Sequence, residues 1–532
     1  MHRTSPDTRA SRDVPLWTLF PLFFAAVYLS HLTLLRLPYF WDEGGYYIPA
    51  AWDFFRTGSL IPQTTLSNAH PPLPSILLAA WWHLSGFVVS GTRTLVCMVT
   101  AAALVAVYRL ARNLAGNTAA AAATLLTAVY PVWFAQSTLA HADIFAAAFT
   151  LWGLSFYFPA PDANPADLNR LWAATMFSLS ALSKETAIVT PLTLAAWEAL
   201  HLLRSQPSLR PTHWKWLAAL ITPTLPLTLW YAYHYSQTGF VFGNPEFLRY
   251  NATANLEAHR ILLCLWHRLL HLTVHMDMFV PVLGALLLLF APAIDAPQAI
   301  HKLTIRTLLF LLLGNMVAFS ILGGALLTRY LLPMYPIVIL LCITTWQKHL
   351  KHWYLLAILS AAAFLAGIWI NPPYAFAPED NLTYRDMIVL HQQAIHFIDH
   401  KYPKATVLTA WPATSELTRP ELGYTRNPLQ TVAIQNFSIE QIQQAAAEKP
   451  AFDTAFLFST KWAPRPEQIN LGKKNESSDT RYFDFHRDLS PDEVASKLHG
   501  EVVWKAQRKG EWAAVLRFPS SRDSSEPSRP LP

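Results

Sequence analysis

Between Val14 and Leu35 the chain carries no Asp, Glu, Lys or Arg, an unbroken run of 22 residues. A helix needs roughly 20 apolar residues to cross a bilayer core, so this run predicts a first membrane span. It lacks a small-residue cleavage site and reads as an anchor, not a removable signal. Further apolar runs fall at 94–108, 117–136, 140–158, 171–183, 186–203, 216–235, 277–292, 303–321, 327–346 and 353–370. The expected fold is a polytopic α-helical membrane protein of about eleven spans.

Two segments need a decision. Residues 73–90 follow His70-Pro71-Pro72 and are rich in Trp and Leu. If they lie along the interface, the loops holding Arg109, Arg112, Arg170, Arg204, Arg210, Lys215, Lys302, Lys348 and Lys351 share the cytoplasmic side with Arg3, Arg9 and Arg12. A spanning 73–90 would reverse that positive-inside bias, so the segment is read as interfacial. The same rule breaks 171–203 into two short spans meeting at Lys184. The N-terminus is then cytoplasmic.

Past residue 370 the pattern changes. Residues 371–520 hold no long apolar run, and short β-rich stretches at 405–410, 430–435, 453–459, 501–506 and 512–518 alternate with helical ones. Ser438 with Gln441, and Ser490-Pro491-Asp492-Glu493, sign two helix starts, with Gly500 closing the second. This predicts a C-terminal soluble α/β domain on the extracytoplasmic side. Residues 521–532, rich in Ser, Pro and Arg, read as disordered. The membrane part, 1–370, carries an outer loop with interfacial helices at 38–93 and a second at 236–276.

Composition narrows the class. Of 532 residues, 53% are hydrophobic and only 14% charged, against roughly 25% charged in ordinary soluble domains. The 20 Trp suit two membrane interfaces. The net charge of +6 belongs to orienting loops, so nucleic acid is not the expected partner. Cys97, Cys264 and Cys342 have no metal-ligand spacing and read as packing thiols.

Candidate chemistry gathers on the outer side. Asp42 and Glu43 lie just beyond the first span among aromatics, placed either as solvated loop acids or as carboxylates for general-base work. His141 and Asp143, two apart, are able to face one ligand, while Asp143 alone also suits a helix N-cap. Lys184-Glu185 interrupts apolar sequence, where charge is costly; a local ion pair is the structural alternative. Arg329-Tyr330 follows Gly323-Gly324 and suits either interfacial snorkelling or bidentate phosphate binding. His267, His271 and His275 recur every four residues on one helix face, read as an interfacial helix against lipid headgroups. No third ligand joins His141 and Asp143, so no metal is assigned and a divalent cation finds no support.

Six motifs carry a resemblance: Asp42-Glu43-x-x-Tyr46, the Gly58 turn before Pro62, Pro71-Pro72-Leu73, His141-x-Asp143, Leu182-Ser183-Lys184 and Arg329-Tyr330-Leu331-x-Pro333. In this order, from the first span to about residue 345, the sequence resembles the GT-C superfamily of polyprenyl-phosphate-sugar-dependent membrane glycosyltransferases. The aminoarabinose transferases and dolichyl-phosphate-mannose protein mannosyltransferases are the nearest groups. The resemblance implies Asp42 as base, Glu43 as its neighbour tuning charge or holding a ligand group, and Asp143 as a second cavity carboxylate. It also implies Lys184, Arg329 and His70 at the donor phosphate, with Tyr46, His141 and Tyr330 lining the substrate site. Where the family often has Glu-Lys before its Pro-Pro, this chain has Ala69-His70, which makes the local cation titratable. The implied activity is inverting transfer of a sugar from a polyprenyl-phosphate donor to an extracytoplasmic lipid, glycan or protein hydroxyl, in a bacterial inner membrane and with no cofactor. A transporter or flippase of a lipid-linked saccharide is the alternative.

Overall fold

The computed structural model describes residues 15–160, 166–204, 206–243, 256–294, 300–322, 325–447, 451–464, 467–471, 476–483 and 486–518. Arg3, Arg9 and Arg12, Asn244-Pro245-Glu246 with Arg249 and Tyr250, the Gly323-Gly324 pair and the 521–532 tail lie outside the described residues.

Three described helical segments are long and apolar enough to cross a bilayer: Val89–Val129, Glu185–Arg204 and Lys302–Leu322. Shorter apolar helices run over Thr18–Ser30, Ala142–Tyr157, Phe279–Leu288 and Tyr354–Trp369. Exposed Leu22, Leu29, Leu286, Leu287, Leu355 and Ile358 stud their faces. Such apolar surface is at home against lipid tails and is costly in water. The chain is therefore an integral membrane protein.

The 41-residue Val89–Val129 segment is two helices. Gly116 sits at φ 81°, ψ 175°, a conformation that a Cβ all but forbids. Tyr108 and Asn117, nine residues apart, then meet side chain to side chain at 3.5 Å, which only a reversal permits, since nine residues of straight helix span roughly 13 Å. This is the turn expected between spans 94–108 and 117–136. The buried Ala119, Ala120 and Ala123 let neighbouring helices approach closely. The pair packs against Leu16–Ser30, Ala142–Tyr157 and Tyr335–His349.

The helix Leu73–Ser85 has 13 residues, roughly 20 Å, too short to cross. The chain breaks at Lys184 (φ −150°, ψ 127°) between Ala166–Ser183 and Val189–Arg204.

Beyond Trp369 five strands form one sheet in the order β2-β1-β3-β5-β4. They are β1 Thr406–Ala410, β2 Gln430–Ile434, β3 Thr454–Phe458, β4 Glu501–Arg508 and β5 Glu511–Arg517. β1 pairs parallel with β2 and β3, and β5 runs antiparallel to β3 and β4. Every residue of β3 is buried, as a central strand requires. The helix Pro491–Leu498 has the expected capping box: Ser490 Oγ accepts from Glu493 N at 3.3 Å, and the Glu493 carboxylate accepts from Ser490 N at 2.7 Å. Two local expectations fail. His499, not Gly500, takes the left-handed closing conformation, at φ 53°. Ser438 Oγ accepts from Gln441 N at 3.5 Å, but the Gln441 side-chain oxygen turns to Gln435 N at 3.0 Å, so the box is only half made.

This sheet-bearing part docks on the loop after the first helix. Tyr39 N donates to the Leu422 carbonyl at 3.2 Å, and Trp411 packs against Gly45 so closely that a Cβ there would sit 2.6 Å from the indole.

Candidate active site

The loop after the first helix separates two adjacent acids. Trp41 is held in a left-handed conformation (φ 46°), and a wide turn of π-type helix follows over Glu43–Tyr47. Glu43 is driven inward and is fully buried. It accepts from Arg93 Nη1 at 2.6 Å and Nη2 at 3.0 Å, from Phe40 N at 2.8 Å and from Ala140 N at 2.6 Å. Arg93, 1% exposed, also donates to the carbonyls of Thr138 and Pro38. These contacts use up the capacity of Glu43, which leaves it no atom to hold a ligand group. Its geometry is that of a clamp tying the first loop to the turn before Ala142–Tyr157. Removing one partner of a buried ion pair costs about 3–5 kcal/mol. Arg93→Met is therefore expected to lower the melting temperature in detergent by several degrees, and an unchanged melting curve would remove the clamp.

Asp42 faces the other way, into a cavity of about 2570 Å³. Its carboxylate accepts from Arg329, 287 residues away. Arg329 lies in the Thr328–Leu331 turn at the head of the Tyr335–His349 helix and is 3% exposed. The same guanidinium donates to both oxygens of Glu379, and its Nε lies 3.2 Å from Asp143 Oδ2. That last contact is ionic only, because both atoms lack a hydrogen-bond partner. Asp143 accepts from Lys184 Nζ at 2.6 Å, and Lys184 sits 4.1 Å from the Tyr330 ring centroid. Asp143 thus makes no cap: the N-cap is His141, with no side-chain capping bond.

His70 Nδ1 lies 2.9 Å from Glu185, with Tyr47 stacked on its ring and Tyr46 edge-on to it. The preceding Ala69 is left-handed (φ 56°) and its carbonyl accepts from Trp230 Nε1 at 2.9 Å. Of the residues singled out in the sequence, Asp42, Tyr46, His70, Lys184, Arg329 and Tyr330 line the large cavity. Asp143 lines a small pocket of about 20 Å³ behind it, with Lys184, Arg329 and Tyr330, room for about one water. His141 does not share a ligand with Asp143. It is fully buried and bonds Gln136 at 2.9 Å.

Two further acids come from the Pro378–Asp380 turn. Glu379 is the main partner of Arg329. Asp380 accepts from Thr328 and from His275 Nε2, the latter at 2.9 Å. Burial pushes the Glu379 carboxyl up to about 8, against the pull of Arg329 and with Asp42 adding to the push. Asp42, Asp380 and Asp143 all add negative charge around this buried carboxyl, and Arg329 is the cation that bonds it. With a raised pKa the folded state binds the proton more tightly, and stability falls as pH rises from about 4.5 towards about 8. Melting curves in detergent should drop over that window, and Glu379→Gln should flatten the drop; an equal slope in the variant would assign it elsewhere.

The histidine row also differs from expectation. His267 and His271 of the Ala258–Thr273 helix line the cavity with His275, and His267 meets Phe483 of the C-terminal part. That face looks inward, not at headgroups. Among the described residues no three His, Cys, Asp or Glu side chains stand close enough to hold a metal ion. Cys97, Cys264 and Cys342 are free and buried.

Residues 69–231 match the family described as dolichyl-phosphate-mannose-protein mannosyltransferase. No curated protein matches the sequence. Among solved structures, ArnT from Cupriavidus metallidurans bound to undecaprenyl phosphate superposes with a TM-score of 0.54 at 14% identity, covering 94% of this chain and 98% of that one. Its apo state gives 0.54 at 15% identity over the same shares. The apo oligosaccharyltransferase of Archaeoglobus fulgidus gives 0.47 at 10% identity, over 84% and 70%. The first of these shares its fold with this chain over nearly the whole of both, and the match to the mannosyltransferase family covers residues 69–231.

Proposed function

We propose that this chain is a membrane glycosyltransferase that moves a sugar from a polyprenyl-phosphate donor to an acceptor hydroxyl outside the cytoplasm, with inversion. One observation carries the reading. Asp42, Lys184 and Arg329, far apart in the sequence, meet at the membrane end of a single large cavity. The undecaprenyl phosphate held by the ArnT structure of shared fold supports a lipid-phosphate ligand, and the family match at 69–231 supports sugar transfer.

The chemistry follows from charge placement. The donor phosphate competes with Asp42 and Glu379 for Arg329 and is met by Lys184, with His70 alongside. Displaced from the guanidinium, Asp42 becomes the base. The acceptor oxygen bonds to the anomeric carbon as the bond from that carbon to the phosphate oxygen breaks. The acceptor proton passes to Asp42, and the electron pair leaves with the phosphate. Cations held in place where charge grows stabilise the transition state most in a site shielded from water. Glu43 and Arg93 hold the loop that carries Asp42. The reading requires no cofactor. The N-terminus and the loops rich in Arg and Lys are placed in the cytoplasm of a bacterial inner membrane, with 371–520 as an outer α/β domain.

Membranes containing the protein, incubated with a radiolabelled polyprenyl-phosphate sugar, should move label from lipid to a water-soluble or lipid acceptor. Label that changes leaflet while its phosphate bond stays intact would replace this reading with a flippase.

A further inference from the structure

The cavity that begins at Arg329 and Lys184 continues into the C-terminal sheet, where Trp411, Ser415, Asn436, Gln444, Thr460 and Lys461 line it. Their positions have one cause in the topology. Trp411 follows β1, which ends at Ala410; Asn436 lies just past β2, which ends at Ile434; Thr460 and Lys461 follow β3, which ends at Phe458. All three parallel strands deliver their carboxyl ends to this space. In the order β2-β1-β3 the chain leaves β1 to one side and then returns past it to the other. Open parallel sheets bind ligands outside the carboxyl ends of their strands, at the point where the strand order reverses. Here that point lies between β1 and β3, flanked by Trp411 and by Thr460-Lys461.

The lining sets the ligand's chemistry. Among the described residues it combines amides and hydroxyls with the Trp411 indole, the cations Lys461 and Arg419, His486 and apolar Ile434, Leu471 and Phe483, while the acids lining the cavity (Asp42, Glu185, Glu379 and Asp380) belong to its membrane end. Trp411 packs on Trp41 and Gly45 yet stays 38% exposed. A rigid indole offers large contact area at little entropic cost, and a sugar ring presents it with a face of C–H groups and a rim of hydroxyls.

We propose that the crevice at the carboxyl ends of β1 and β3 binds the glycan part of the acceptor, an oligosaccharide of neutral or negative charge. Trp411 stacks on a ring, and Thr460, Lys461 and the Asn436 and Gln444 amides bond its oxygens. The proposal rests on the glycosyl-transfer reading and names its acceptor class. The shared cavity lets the chain of sugars run from this crevice to Asp42.

The test uses the full chain in nanodiscs on a printed array of defined neutral and carboxylated oligosaccharides. Wild type is expected to be retained, and Trp411→Ala and Lys461→Ala each to lose about tenfold or more in affinity, as truncating a binding hot spot does. Undecaprenyl phosphate should still raise the melting temperature of all three proteins, showing the variants folded and the membrane end intact. Absence of retention by wild type, equal retention by both variants, or retention on a peptide array alone overturns the proposal. Oligosaccharide retention without any effect of undecaprenyl phosphate upholds the crevice and sinks the donor reading instead.

Discussion

Asp42→Asn is expected to lower turnover by about 10²–10⁴-fold, the usual contribution of a positioned general base, while the protein still inserts and folds. The asparagine keeps the size and the hydrogen-bonding oxygen but not the basicity. Asp42 is the least buried of the acids on Arg329, with its side chain 30% exposed against 2% and 5% for Asp143 and Glu379. Losing its charge therefore leaves the guanidinium paired and disturbs the fold little. Its loss also removes a competitor for the donor phosphate, so the KM for donor should stay the same or fall as kcat collapses. A purely structural partner of Arg329 would show the opposite split, a raised KM with kcat retained. Initial rates over a donor titration with purified protein decide between the two, and wild-type turnover in Asp42→Asn would take the base role away from this residue.

Arg329→Ala should cost both activity and stability. Deleting one partner of a buried ion pair costs about 3–5 kcal/mol, and here the guanidinium serves three carboxylates at once. Without it Asp143 keeps Lys184, but Glu379 keeps no cation and remains buried among like charges. The loss should be greatest at high pH and shrink as pH falls, because protonation then relieves the carboxyls. Turnover should drop at least about tenfold, the equivalent of about 1.4 kcal/mol, and the same is expected of Lys184→Ala. Arg329→Lys restores the charge but not the fork that spans Asp42 and Glu379, so it should recover stability better than rate. Melting temperatures at acid and alkaline pH, measured beside transfer rates, check this. Equal melting and equal turnover in Arg329→Ala would show that the phosphate is held elsewhere.

The misplacement of Glu43 shows where spacing stops informing. Two neighbouring acids at a membrane boundary look equivalent along the chain. What separates them is a left-handed Trp41 and a partner, Arg93, fifty residues on. Arg93 was legible as a charge at the edge of a predicted span, a position where charge is costly and so asks for a partner. Glu379 and Asp380 were less legible. They lie past the last apolar run, in a turn that reads as the start of a soluble domain, and nothing local marks them as facing the membrane site. The histidine row was read on the correct helix, but its inward face is set by the packing of Phe483 and the Pro378–Asp380 turn. His499 took the left-handed position next to Gly500, a shift of one residue that turn propensity does not resolve.

Much of what a single stretch of chain governs was open to reading in advance: the apolar runs, the reversal near Gly116, the break at Lys184, the five strands of the C-terminal sheet and the Ser490 cap. Each depends on side-chain period, backbone freedom or the cost of charge in an apolar run, all of which act over a few residues. Only the folded chain decided which acid faces the cavity, that three carboxylates share Arg329, and that the parallel strands open towards the membrane site. Those depend on contacts between distant segments, such as Asp42 with Arg329, 287 residues apart, and Tyr39 with Leu422. Burial and charge balance select such contacts across the whole molecule, and no local spacing encodes them.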